Sequence, residues 1–144
     1  MPDSQSWVAW ALLSAAFAAL TAIFAKVGLE GVDSDYATLF RTVVILLVLG
    51  AIVVGMGKWR DPTTLSGRTA SFLVLSGLAT GASWLCYFRA LKIGEASRVA
   101  PIDKLSVVLV VIFATLFLGE RPSPRDWTAV GLVSSGVLLL ALKR

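Results

Sequence analysis

Two oppositely charged neighbours, Asp103 and Lys104, stand just before a stretch with no charge at all, Leu105 to Leu118. Pro101 precedes them, and Glu120 and Arg121 close the stretch. Read from Ser97 to Pro122, the segment is a membrane-spanning helix, since about 20 apolar residues cross a hydrocarbon core of about 30 Å. With about 1.5 Å of rise per residue, the charged pair lies about 10 Å inside the helix start. A charge at that depth costs on the order of 3 kcal/mol on insertion scales, so its presence points to function. Neighbours on a helix point about 100° apart, which sets Asp103 and Lys104 on different faces. Asp103 is therefore expected to pair with Arg41 or Arg89 on another helix. Unpaired, it would take up a proton and serve as a proton carrier. A structural ion pair that only fixes packing is the alternative.

The other embedded charges fall at the same level. Lys26 ends the first apolar run, Arg41 stands about a turn and a half into the second, and Arg89 about a turn before the end of the third. With Lys104 they make four positive charges against one negative, Asp103, on one side of the membrane. The opposite half has none. This reads as a polar vestibule suited to a carboxylate or phosphate, hence to an anionic or zwitterionic small-molecule substrate. Snorkelling of the long basic side chains to the headgroups is the plainer alternative. Trp84, Tyr87 and Phe88 lie within two turns of Arg89, and Trp10, Phe17 and Phe24 recur every seventh residue on one face. Arg41, Arg89, Asp103 and Lys104 are thus expected to line the polar part of a substrate path. Trp84, Tyr87 and Trp10 are expected to line its apolar wall, with lipid or core packing as the alternative. Pro101 removes a backbone donor and is the candidate flex point. Glu120 is either a solvated loop residue or a contact across helices or subunits.

Composition excludes much else. The chain has 144 residues, 57% of them hydrophobic and 15% charged, and its mean hydropathy is +0.82. A soluble domain carries roughly 25% charged residues, so this is a polytopic membrane protein whose first partner is the lipid bilayer. No histidine is present, which removes histidine metal sites and a histidine proton relay. The single cysteine, Cys86, forms no internal disulfide and reads as a small packing residue. No phosphate loop, metal-ligand spacing or nucleophile with a base appears. The expectation is no enzyme, no cofactor, no metal and no nucleic acid partner. The net charge of +4 is ordinary for basic residues at membrane edges. No cleavable signal peptide is evident, so the first helix is expected to insert by itself.

These residues need five helices to position them. Apolar runs at about 7–27, 36–56, 69–93, 97–119 and 124–142 are each long enough to span, the last being the shortest. The connections are short except Gly57 to Arg68, an aqueous loop with turn residues. Trp7, Trp59 and Trp127 suit interfacial anchoring. Ser123 caps the last helix, Pro124 opens its first turn and Asp126 completes a capping box. Small residues at Gly77-x-x-x-Gly81 and at Gly131-x-x-x-Ser135 with Gly136 allow close helix approach, within the chain or in a dimer. Five spans put the termini on opposite sides. The basic residues outside the embedded positions number five on the N-terminal side (Lys58, Arg60, Arg68, Arg121, Arg125) and four on the other (Lys92, Arg98, Lys143, Arg144). So even a balance scarcely selects an orientation.

The pattern resembles the EamA-type domain of the drug/metabolite transporter superfamily, in its short single-domain form. The likeness runs along nearly the whole chain. It is carried by FAKVGL at Phe24 to Leu29, by Arg41 at the entry of the second helix, and best by Ala90 to Leu140 with its proline, its LGE ending and its glycine-rich last helix. The resemblance implies an all-α membrane protein of five transmembrane helices, one half of an inverted-repeat ten-helix architecture. It implies secondary transport of a small metabolite by alternating access, in the plasma membrane of a bacterium or archaeon. A single copy regains the inverted repeat by pairing with an oppositely inserted partner, so a homodimer is expected, antiparallel by preference. The alternatives are a non-transporting structural or accessory subunit, and an exporter of toxic cations of the small-multidrug type.

Overall fold

The computed structural model describes residues 6–142, and the described residues are helical apart from their connections. Long helices form at Ser6–Gly28 (α1), Ser34–Gly55 (α2) and Gly67–Ile93 (α3). Then come Ala96–Asp103 (α4), Ser106–Phe113 (α5), a π-helical turn at Ala114–Leu118, and Pro124–Ala141 (α6). Four segments are long and apolar enough to cross a membrane: Trp7–Gly28, Ser34–Gly55, Gly67–Ile93 and Ala96–Leu118. α6 follows them with 18 residues, near the lower end of spanning length. The protein is a multi-pass, all-α membrane protein.

Local chemistry sets the helix ends. Asp33 caps α2 by accepting from the N–H groups of Asp35 (2.9 Å) and Tyr36 (3.1 Å). α2 thus begins two residues before the apolar run and takes Asp35 into its first turn. Asp61 caps a single 3-10 turn, Pro62–Thr64, in the long loop. Hydrogen bonds from the Thr63 N–H and hydroxyl hold the Asp61 carboxyl below the usual carboxylate range. The capping box expected at α6 is present: Ser123 Oγ accepts from Asp126 N–H, and the Asp126 carboxylate accepts from Ser123 N–H at 2.7 Å.

The fourth span is not one regular helix. Pro101 has no N–H, so the carbonyl one turn before it loses its α-helical donor. The backbone then tightens to bonds of three-residue reach: Lys104 N–H to Pro101 O, Leu105 N–H to Ile102 O and Val107 N–H to Lys104 O, all at 3.0 Å. The α-helix is interrupted at Lys104 and Leu105, three residues beyond the proline. Ten residues on it widens instead, and Ala114 O accepts from Gly119 N–H five residues later. Gly119 ends the turn at φ +69°, a left-handed conformation that a Cβ would strain. Tight and wide turns inside a helix are where hinges are commonly found.

Two compact units divide the described residues: one is Phe24–Ile93, the other joins the residues up to Ile23 with those from Gly94 onward. In the first, α2 packs along α3. In the second, α6 packs against α4 and α5. Leu91 is the largest side chain withdrawn fully from the surface, while most large apolar side chains face outward, as in a chain solvated by lipid. Apart from the neighbouring backbone of its own helix, nothing lies within 4 Å of the Cβ that could be built at Gly77, Gly81, Gly131 or Gly136. The small-residue faces are thus not filled by packing among the described residues.

Candidate functional site

At the end of α3 three basic side chains fasten the turn between α1 and α2. Lys26 Nζ donates to the Leu91 carbonyl at 2.6 Å. That carbonyl lies in the last turn of α3, where helical donors run out and a cation complements the helix dipole. Lys92 Nζ donates to the Val32 carbonyl at 2.8 Å. Arg89 meets Asp35 fork to fork, with Nε to Oδ1 at 2.9 Å and Nη2 to Oδ2 at 2.6 Å. Bidentate pairing of this kind fixes orientation as well as charge.

Arg41 lies farther along α2. Its guanidinium carbon is 4.2 Å from the Trp84 ring centre and 5.1 Å from that of Phe88. The two rings are four residues apart on α3 and so share a face. Tyr87 touches Phe88 edge to face at 6.3 Å and lies within electrostatic reach of Arg41. One guanidinium nitrogen, Nη1 of Arg41, is buried and meets no hydrogen-bond acceptor among the described residues. Both aromatic rings support the cation by their faces, yet neither offers a lone pair to its N–H edge.

The structure brings together Arg41, Trp84, Tyr87 and Arg89, all within the Phe24–Ile93 unit. Trp10, Pro101, Asp103 and Lys104 belong to the other unit. There Asp103 does not follow the expected pairing. Its carboxylate accepts from Lys104 Nζ at 3.3 Å, because the long lysine stem folds back over a separation that the backbone directions alone would not close. Arg89, expected as a partner for Asp103, is taken by Asp35 instead. Trp10 is 72% exposed. Within the Phe24–Ile93 unit the basic residues are therefore joined by a carboxylate, Asp35, that lies just outside the apolar run read from the sequence. The signal for it was available: Asp33 as a capping residue starts the helix earlier.

The second unit has its own concavity, a cleft of about 500 Å³ at the far end of the fourth span. Val110, Val111 and Ala114 face Ala129 and Val130 across it, with Glu120, Arg121 and Asp126 at the rim. The Asp126 carboxylate is already committed to Ser123.

The EamA-like transporter family matches residues 5–142, almost the whole chain. The chain belongs to this family. A similar protein is an uncharacterized transporter in the cobO 3' region of a Sinorhizobium species, 63% identical over 139 residues that cover 96% of this chain and 99% of that one. Against an uncharacterized transporter of Bacillus subtilis, YxxF, identity is 25% over 96% of this chain, which spans 43% of that protein's length. The probable 4-amino-4-deoxy-L-arabinose-phosphoundecaprenol flippase subunit ArnE of Yersinia pestis is 30% identical over 58% of this chain and 74% of its own. No solved structure gives a significant match. EamA membership with bacterial relatives assigns the chain to transport and to a plasma membrane. Its surroundings are a lipid bilayer and its cargo a small molecule.

Proposed function

We propose that this EamA protein is a secondary transporter that moves a small anionic or zwitterionic metabolite by alternating access, as a homodimer with antiparallel copies preferred. The observation that carries the reading is Arg41, a cation held inside a span with one donor buried and unmet. Trp84 and Tyr87 shape the apolar surroundings of that cation, and Arg89 fixes the corner beside it. Asp103, exchanging its lysine partner for a proton, is the carrier of the coupling ion, and Lys104 balances it when ionised. The interruption after Pro101 supplies movement, and Trp10 borders the path. One observation supports a second copy: the faces of Gly77, Gly81, Gly131 and Gly136 are unfilled.

The test has two parts. Metabolites are screened by thermal shift on the purified protein, and those that stabilise it are assayed for uptake into proteoliposomes. Uptake of one of them, lost in Arg41→Ala, is the expected result; a screen with no stabiliser and no flux ends the proposal. Reporters fused after Arg144 are expected to register on both membrane faces, and signal on one face alone rules out antiparallel pairing. A second reading, an accessory subunit that works with a different chain, is favoured by the similarity to a flippase subunit. Under it, Asp103→Asn lowers stability and leaves flux unchanged.

A further inference from the structure

We infer that Arg41 is a dedicated anchoring point for an oxyanion, a carboxylate or a phosphate, and that the other cations of the α2–α3 corner are not. The inference rests on the transport reading and narrows the class of cargo. Lys26 is bound to Leu91 O, Lys92 to Val32 O and Arg89 to both oxygens of Asp35. These contacts use up charge in holding helices together. Arg41 differs in kind. Its flat faces are served by Trp84 and Phe88, which leaves recognition to the edge, where Nη1 is buried and unmet. A buried charged donor without an acceptor is expensive, so such a position gains by capturing one. The hydroxyls nearest in sequence on α2 are turned back along their own helix, Thr38 Oγ1 to Ser34 O at 2.8 Å and Thr42 Oγ1 to Thr38 O at 2.7 Å, and neither accepts from Arg41 Nη1. A planar guanidinium edge suits a planar carboxylate or the oxygens of a phosphate better than any neutral acceptor.

The oxyanion has two sources, a soluble anion or the phosphate of a lipid headgroup. Purified full-length protein in maltoside micelles, which carry no phosphate, is titrated with inorganic phosphate and separately with acetate. Chloride is exchanged to hold ionic strength, and tryptophan fluorescence and thermal midpoint are read. A saturable change is expected. Arg41→Gln weakens it about 10-fold or more, the worth of one charge-assisted hydrogen bond. Arg41→Lys, which keeps the charge and guards against loss of folding, gives an intermediate effect. Lys92→Gln, at a cation already bound to the Val32 carbonyl, shifts the midpoint but leaves the affinity within about twofold. Repeating the titration in phosphatidylglycerol nanodiscs separates the sources. Binding retained there assigns the site to soluble anions, and binding abolished there assigns it to headgroups. No saturable response in folded wild-type protein, or an equal response in Arg41→Gln, overturns the inference. Saturable phosphate binding without metabolite flux keeps the anchor and ends the transport reading. Flux that survives Arg41→Gln, with no phosphate binding, does the reverse.

Discussion

Between α2 and α3, a guanidinium and a carboxylate 54 positions apart meet through two hydrogen bonds, whereas in the fourth span the carboxylate of Asp103 meets only the lysine beside it. The first arrangement ties two helices. The second ties nothing beyond its own turn, and it sits where the helix is already interrupted. Charges at the α2–α3 corner therefore oppose movement, and those in the fourth span leave it free. The alternating access proposed above needs both, because a pathway can open on alternate sides only if one part stays fixed while another shifts.

The sharpest way to break this comparison is at Arg41. Arg41→Gln is expected to reduce proteoliposome flux by roughly 10-fold or more while leaving helicity by circular dichroism intact. Flux equal to wild type would place Arg41 among the fixed charges. Next comes Pro101→Ala, which restores a backbone donor to the fourth span. It is expected to raise the thermal midpoint by a few degrees and lower flux severalfold, since the gain of one hydrogen bond straightens the segment that must bend. A rise in both would show that the interruption has no part in movement. Asp35→Asn is expected to do the opposite, lowering the midpoint by roughly 2–4 °C and sparing phosphate affinity; the exchanged pair Asp35→Arg with Arg89→Asp recovers part of the loss.

The smallest expected effect lies outside both regions. The folded carboxyl of Asp61 is held below its ordinary value of 3.8 by Thr63. Its stabilisation of the loop is therefore complete above that value and is lost as pH falls through the lower, folded one. Amide exchange at Thr63, followed from neutral pH to below the carboxylate range, is expected to lose protection over that window, and Asp61→Asn to flatten the response.

The spans were readable because apolar runs of about 20 residues admit little else, and the Ser123–Asp126 cap was readable because its chemistry is contained in four adjacent residues. That Trp84, Tyr87 and Phe88 lie close to Arg89 along α3 was also visible. The partner of Arg89 was not. The Asp33 cap shows that Asp35 lies in the first turn of α2, but whether Asp35 faces α3 depends on how α2 is rotated about its axis against α3, which the packing of the two helices sets. The pairing of Asp103 with Lys104 does not follow from the Cβ directions of the two residues, because it depends on the reach of a four-carbon stem. The unmet Nη1 of Arg41 could not be read at all, since it is a property of everything around the side chain.

The π turn at Ala114–Leu118 has a consequence of its own. It stores one residue more than an α turn of equal height. Handing it along the helix by one step turns every side chain it passes through about 100°. Phe117, which now tilts against Phe113 at 5.9 Å, would swing to another compass bearing without any net lengthening of the span.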